Sequence, residues 1–189
     1  MTTKKREDYA PVVTFEEFDR LRPGLGRVVC TSGGFDPIHP GHISCIADSR
    51  RLGDTVVVVV NGDGFLRAKK GKPFQDMATR VAIVSALKAV DYVIPFEVEG
   101  DATVREALRR IRPDVFSKGG DRVNAASIPE WDICQELGIL VVTGVGAAKA
   151  WSSSNFLAEW EQFRAETRQD DGSRSKSRKL EAKSGERTE

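Results

Sequence analysis

From residue 27 onward the chain alternates short aliphatic runs with amphipathic segments. RVVCT (27–31), TVVVVV (55–60), YVIPF (92–96), DVFSK (114–118) and ILVVT (139–143) are nearly continuous in apolar residues. That is the pattern of strands covered on both faces. Between them lie HISCIADSRRLG, DMATRVAIVSALKAV opened by Asp76, DATVREALRRIR opened by Asp101, and SIPEWDICQELG with Ser127 and Glu130 spaced as a capping box. Gly53 and Gly138 stand where helix ends favour glycine. Strands and helices in alternation, joined by short links, predict an α/β fold, a doubly wound five-stranded parallel sheet of Rossmann-like type with right-handed crossovers. Ligands of such sheets sit beyond the carboxyl ends of the strands.

The two ends read differently. Thr14-Phe15-Glu16-Glu17 fits a capping box, so residues 1–26 are expected to form an arm with a short helix ahead of a single domain over 27–164. Residues 165–189 hold 7 basic and 6 acidic residues and only Ala165, Leu180 and Ala182 as apolar groups. Too little surface can be buried there to offset ordering, and a disordered tail is expected.

Composition narrows the function. Lys and Arg total 29 against 28 acids, and without the tail the balance is 22 to 22. No global field recruits nucleic acid or an anionic membrane, so binding must come from a local site. The longest aliphatic run is the five valines Val56 to Val60, and the N-terminus carries charge without an apolar stretch behind it. No membrane span or signal peptide is expected. Cys30, Cys45 and Cys134 lack metal-ligand spacing and read as reduced residues of a cytoplasmic protein.

Both histidines of the chain fall in one stretch, SGGFDPIHPGH (32–42). It follows the first strand directly and precedes a helix, the place where open sheets bind anions. Gly33 and Gly34 let main-chain N–H groups approach a phosphate, Pro37 and Pro40 stiffen the turn, and His39 and His42 project towards the same helix N-terminus. Neither GxGxxG nor GxxxxGK[ST] is present. A zinc site would need three or four ligands, and no Cys or further His accompanies the pair, so no protein-held metal site is expected.

GGFDPIHPGH resembles the G-x-F-D-x-x-H-x-G-H signature of the cytidylyltransferase-like nucleotidyltransferases. LGDTVVVVVNGD, KGKPF, Arg80, VDYVIPFE, RPDVFSKGGD and WSSSN follow in that superfamily's order. The likeness spans roughly residues 27 to 157 and is greatest to heptose-1-phosphate adenylyltransferases, through VNGD, ALKAVDYVIPFE and KGGD. It implies that a phosphorylated sugar or polyol attacks the α-phosphorus of a nucleoside triphosphate, ATP preferred, and that pyrophosphate leaves. It also implies magnesium as cofactor and a homodimer. By the family pattern His39, His42 and Lys70 would be catalytic. Gly33, Gly34, Phe35, Asp36, Lys72, Arg80, Lys118, Gly119, Gly120, Asp121, Ser152, Ser153 and Ser154 would bind the nucleotide. Lys70 and Lys72 would lie on the loop after the second strand.

Each motif has a plainer reading. Two histidines in a turn can be surface residues, lysine clusters are usually solvated, Arg80 can pair with Asp76 on its own helix, and KGGD and SSS are an ordinary turn and helix start. Their order along one chain favours chemistry. Gly34 replaces the heptose branch's usual cysteine, Arg122 its tyrosine, and Trp151-Ser152-Ser153-Ser154 its Ser-Thr-Thr. These positions border base and acceptor, so a CTP-dependent enzyme acting on glycerol 3-phosphate or another small phosphate is the near alternative. A non-catalytic nucleotide-binding module comes next, and an oxidoreductase lacks its glycines.

Overall fold

The computed structural model describes residues 9–97, 103–120, 124, 128–147 and 153–167. The strands are β1 (Val28–Gly33), β2 (Thr55–Asn61), β3 (Tyr92–Phe96), β4 (Val115–Gly119) and β5 (Leu140–Val145). They form one parallel sheet in the order β3-β2-β1-β4-β5. The chain moves outward from β1 to β3, then returns to the other side of β1 for β4, which makes the β1/β4 boundary the switch point where such sheets open a crevice. Four strands reach further towards their carboxyl ends than the apolar runs do, taking in Ser32, Gly33, Asn61, Gly119 and Gly144. Those polar and small residues carry no hydrophobic signal, yet they line the ligand edge.

The valine run shows why both faces are covered. Val57 and Val59 pack with Phe18, Leu108, Ile111 and Ile133, whereas Val56, Val58 and Val60 pack with Ile46, Val81 and Val84. Period-2 geometry splits one apolar string between two cores. The first core is covered by α1 (Phe15–Leu21), α5 (Arg105–Ile111) and α6 (Trp131–Glu136), the second by α2 (Pro40–Ser49) and α4 (Met77–Ser85). Thr14 and Glu17 form the expected capping box, and Asp76 caps α4 through Thr79 N–H. Ahead of α1, Val12 bridges to Val93 in parallel and Val13 joins the core.

Three local expectations are corrected. α3 (Asp63–Lys70) has no counterpart in the sequence reading, because Leu66 is its one buried residue and gives no periodicity. Its ends are marked by charge instead: Asp63 in the first turn and Arg67, Lys69 and Lys70 in the last, each complementing the helix dipole. Lys70 therefore ends a helix and does not stand on a loop. The capping box expected at Ser127 puts Glu130 inside the helix, but Glu130 is the N-cap of α6, without a side-chain cap bond, and Ser127 lies outside the described residues. Gly138 is left-handed (φ 66) as a helix end requires, but Gly53 is extended.

By its internal contacts the chain divides after Ser153, and the first unit holds the whole sheet. Residues 153–167 are helical, so the helix continues past residue 165, where the tail is expected. Residues 168–189 lie outside the described residues. Among the described residues no helix is long and apolar enough to cross a membrane.

Candidate functional site

The turn after β1 is held in an uncommon shape. Phe35 has φ 51, a left-handed conformation that costs a side-chain-bearing residue energy unless its surroundings fix it. Here the ring is buried at 4% exposure and meets the His42 ring edge-on at 5.1 Å. At Gly34 a Cβ would lie 2.7 Å from Leu66 Cδ2 of α3, so that side chain would have to shift to admit one.

His39 is the N-cap of α2, with Pro40 behind it. One turn on, His42 stacks on it, ring centroids 3.7 Å apart and planes 22° from parallel. Burial lowers the His39 pKa. For His42, burial first, then His39 and Lys69, lower it from 6.5 to about 4. Two stacked cations would repel in this setting, so the pair is neutral at pH 7. Each ring keeps one N–H donor, beside the amide-rich end of a helix.

Behind the turn, Asp36 is a hub. Its carboxylate accepts from Phe74 N–H (2.8 Å), Gln75 N–H (2.7 Å) and the Lys70 ammonium (2.6 Å), and Lys70 also donates to the Asp36 carbonyl at 2.5 Å. Burial alone would raise its pKa; the ammonium and the two amides outweigh it and hold the carboxyl below the usual range. Lys70 is thus engaged with Asp36, tying the α3/α4 connection to the histidine turn.

Arg80 is a second tie. Wholly buried, its guanidinium donates to Gly34 O (2.7 Å), Asn61 O (2.6 Å), Gln75 O (3.1 Å) and Asp63 Oδ1 (2.6 Å). It joins the turn after β1, the end of β2, the start of α3 and the loop before α4. Its acid is Asp63 and not Asp76, which caps its own helix. Glu97 takes Gly64 N–H at the start of α3, so that helix end already has its carboxylate. Lys72 is exposed on the α3/α4 connection.

Across the switch point, Lys118 of β4 donates to Ser32 Oγ of β1 at 3.1 Å, lies 4.5 Å from the Phe116 ring centroid and stands 3.5 Å from Glu130 Oε2. Gly119 ends β4, and Gly120 follows it exposed. Ser153 Oγ donates to Pro37 O at 2.9 Å, which fastens the end of the first unit to the histidine turn. Ser154 is exposed; Asp121 and Ser152 lie outside the described residues.

The turn therefore brings together Gly33, Gly34, Phe35, Asp36, His39, His42, Lys70, Arg80 and Ser153, with Lys118 at the neighbouring strand end. Sequence reasoning missed Ser32, Asp63 and Glu130. Their signals were hidden in a strand end, an unread helix and a supposed cap. His42 Nδ1, Asn61 Oδ1, Gln75 Oε1 and Glu130 Oε2 are buried without a hydrogen-bond partner among the described residues. Unsatisfied polar atoms are rare in folded proteins, and these gather where the sheet presents its ligand edge. Among the described residues no group of three or more His, Cys, Asp or Glu side chains could hold a metal ion, and Asp36 and Asp63 are taken by Lys70 and Arg80.

A doubly wound parallel sheet with a stiff anion-facing turn after its first strand defines a nucleotide-binding class of α/β protein. The profile of the cytidylyltransferase-like family matches residues 30–169, and the chain belongs to that family. It is similar to the bifunctional protein HldE of Methylococcus capsulatus, 41% identical over 120 residues, 62% of this chain and 25% of that one. HldE of Streptomyces coelicolor is 40% identical over 121 residues, 63% and 25% of the two chains. The matched part is about a quarter of these relatives' length. Among solved structures, a lipopolysaccharide core biosynthesis protein from Thermoplasma volcanium superimposes with TM-score 0.55 at 29% identity, covering 65% of this chain and 98% of that one. A pantoate-β-alanine ligase from Francisella tularensis, TM-score 0.55 at 14% identity over 77% and 72% of the two chains, shares the fold.

Proposed function

We propose that the protein transfers a nucleotidyl group from a nucleoside triphosphate, ATP preferred, to a phosphorylated sugar of the heptose phosphate kind. A phosphate oxygen of the acceptor forms the new bond to the α-phosphorus, the bond from that phosphorus to the bridging oxygen breaks, and pyrophosphate leaves with the electron pair. The acceptor phosphate is largely ionised near neutral pH, so no proton has to be removed. That suits a site whose two imidazoles are neutral hydrogen-bond donors and whose Asp36 is occupied.

The observation that carries this reading is the stacked His39/His42 pair at the N-terminus of α2, beyond the carboxyl end of β1. Phosphoryl chemistry is mostly positioning and charge stabilisation, which fixed donors supply without reorganising. Magnesium belongs in the proposal as a passenger of the triphosphate, held by phosphate oxygens and water. The proposed location is the cytosol, in keeping with three buried free thiols, of which Cys30 is pushed up to about 12 by burial.

The test is a matrix of ATP and CTP against heptose 1-phosphate, other sugar phosphates and glycerol 3-phosphate, with magnesium, following pyrophosphate. Release with ATP and a sugar phosphate is expected. Release only with CTP and a small polyol phosphate would reassign the substrates, and binding without any release would make the chain a nucleotide-binding module.

A further inference from the structure

The ion pair at the switch point is not used by the chemistry above. Glu130 is 4% exposed, and its Oε2 is buried with the Lys118 ammonium 3.5 Å away. Its other oxygen accepts weakly from Val104 N–H at 3.4 Å. The Lys118 side chain is 16% exposed, bonds Ser32 Oγ of the neighbouring strand and lies against the Phe116 ring. A lysine at the carboxyl edge of a nucleotide-binding sheet would ordinarily count as a phosphate ligand. Here its charge is cancelled by a carboxylate behind it.

We propose that Glu130 is a positioning residue acting through Lys118: it holds and neutralises that ammonium, so that this corner of the crevice takes an uncharged hydrogen-bond acceptor of the substrate, such as a carbonyl, ring nitrogen or hydroxyl oxygen, and not a phosphate. The inference deepens the nucleotidyltransferase reading and rests on it for the identity of the substrates. The phosphates are left to the histidine turn, and the neutral parts of nucleoside or sugar fall to the β1/β4 side. A paired lysine can still offer an N–H to a neutral oxygen or nitrogen, whereas an approaching phosphate meets the carboxylate's repulsion as well as the ammonium's attraction.

The test measures equilibrium binding to the full chain, with no turnover needed, so it stays readable even if pyrophosphate release is never seen. The probes are inorganic tripolyphosphate, adenosine, cytidine and an unphosphorylated heptose, and the variants are Glu130→Gln, Lys118→Met and the double variant. Lys118→Met, which leaves the Glu130 carboxylate uncancelled, is expected to weaken tripolyphosphate affinity about fivefold. Glu130→Gln is expected to tighten it about fivefold, the attraction of one uncancelled charge in a partly hydrated site, with a steeper loss at high salt. The double variant should lose that gain. Either single change should weaken a nucleoside or the heptose, and which one weakens tells the two sources apart. A gain of anion binding is not something a damaged fold produces. If Glu130→Gln fails to fold, Lys118→Met and the double variant, which removes both charges together, carry the test. A tenfold loss of tripolyphosphate binding in the double variant, or no change in either neutral ligand, would overturn the proposal.

Discussion

The His42 imidazole is the residue on which the proposed chemistry turns, and its environment makes two separate predictions. As a donor fixed by stacking on His39 and by the Phe35 ring edge, its replacement by Asn should lower kcat by about 10²-fold or more, with the thermal melt nearly unchanged; steady-state pyrophosphate release against a melting curve checks it. The second concerns stability. Its folded-state pKa is depressed from 6.5 to about 4, chiefly by burial, so the unfolded chain takes up a proton first and stability falls as pH drops below 6.5 and on towards 4. About 2 kcal/mol should be lost between pH 7 and pH 5 from this group. Urea titrations of the protein and of His42→Asn should show that share of the slope disappear in the variant. These residues were legible in sequence because both histidines fall in one turn bordered by glycines. Asp36, Arg80 and Glu130 were legible as identities only. Their charged partners lie 34 residues away for Asp36 with Lys70, 17 for Arg80 with Asp63 and 12 for Glu130 with Lys118, and no helical or strand spacing reveals that.

Among the elements, α3 buries a single side chain and is closely tied to the site. Leu66 is its single buried side chain and touches the place where Gly34 has no Cβ. Leu66→Ala should cost about 2 to 4 kcal/mol locally, and hydrogen exchange should speed up across Asp63–Lys70 while β2 stays protected. Arg80 of α4 holds the same region with four hydrogen bonds from one buried guanidinium. Arg80→Met leaves Asp63 and three carbonyls without their donor and should cost about 3 kcal/mol or more. Arg80→Lys keeps the charge but cannot reach all four acceptors, so nucleotide KM should stay raised even where the melt recovers; steady-state kinetics beside a denaturation curve separates these effects. The strands and α4 could be read from apolar period and cap residues. α3 could not, since one leucine among charged residues carries no period, and it is specified by contacts with the turn after β1.

At the scale of the whole molecule, the sheet gathers its cations at one edge and then pairs most of them: Lys70 with Asp36, Arg80 with Asp63, Lys118 with Glu130. In a formally near-neutral chain the proposed site thereby presents neutral imidazoles and helix-end amides, while the paired charged side chains serve as ties. The doubly wound five-stranded parallel sheet was readable from apolar runs joined by short links, whereas the order β3-β2-β1-β4-β5 and the site's wiring come from the structure. The claim that the two stacked neutral rings receive the nucleotide's phosphates is tested most directly by NMR of the imidazole nitrogens, since the chain has only two histidines. The expected result is that His42 stays neutral down to about pH 5, in line with its depressed pKa, and that a non-hydrolysable ATP analogue shifts both rings together. Two histidines titrating independently near their ordinary value, and unmoved by the nucleotide, would contradict it.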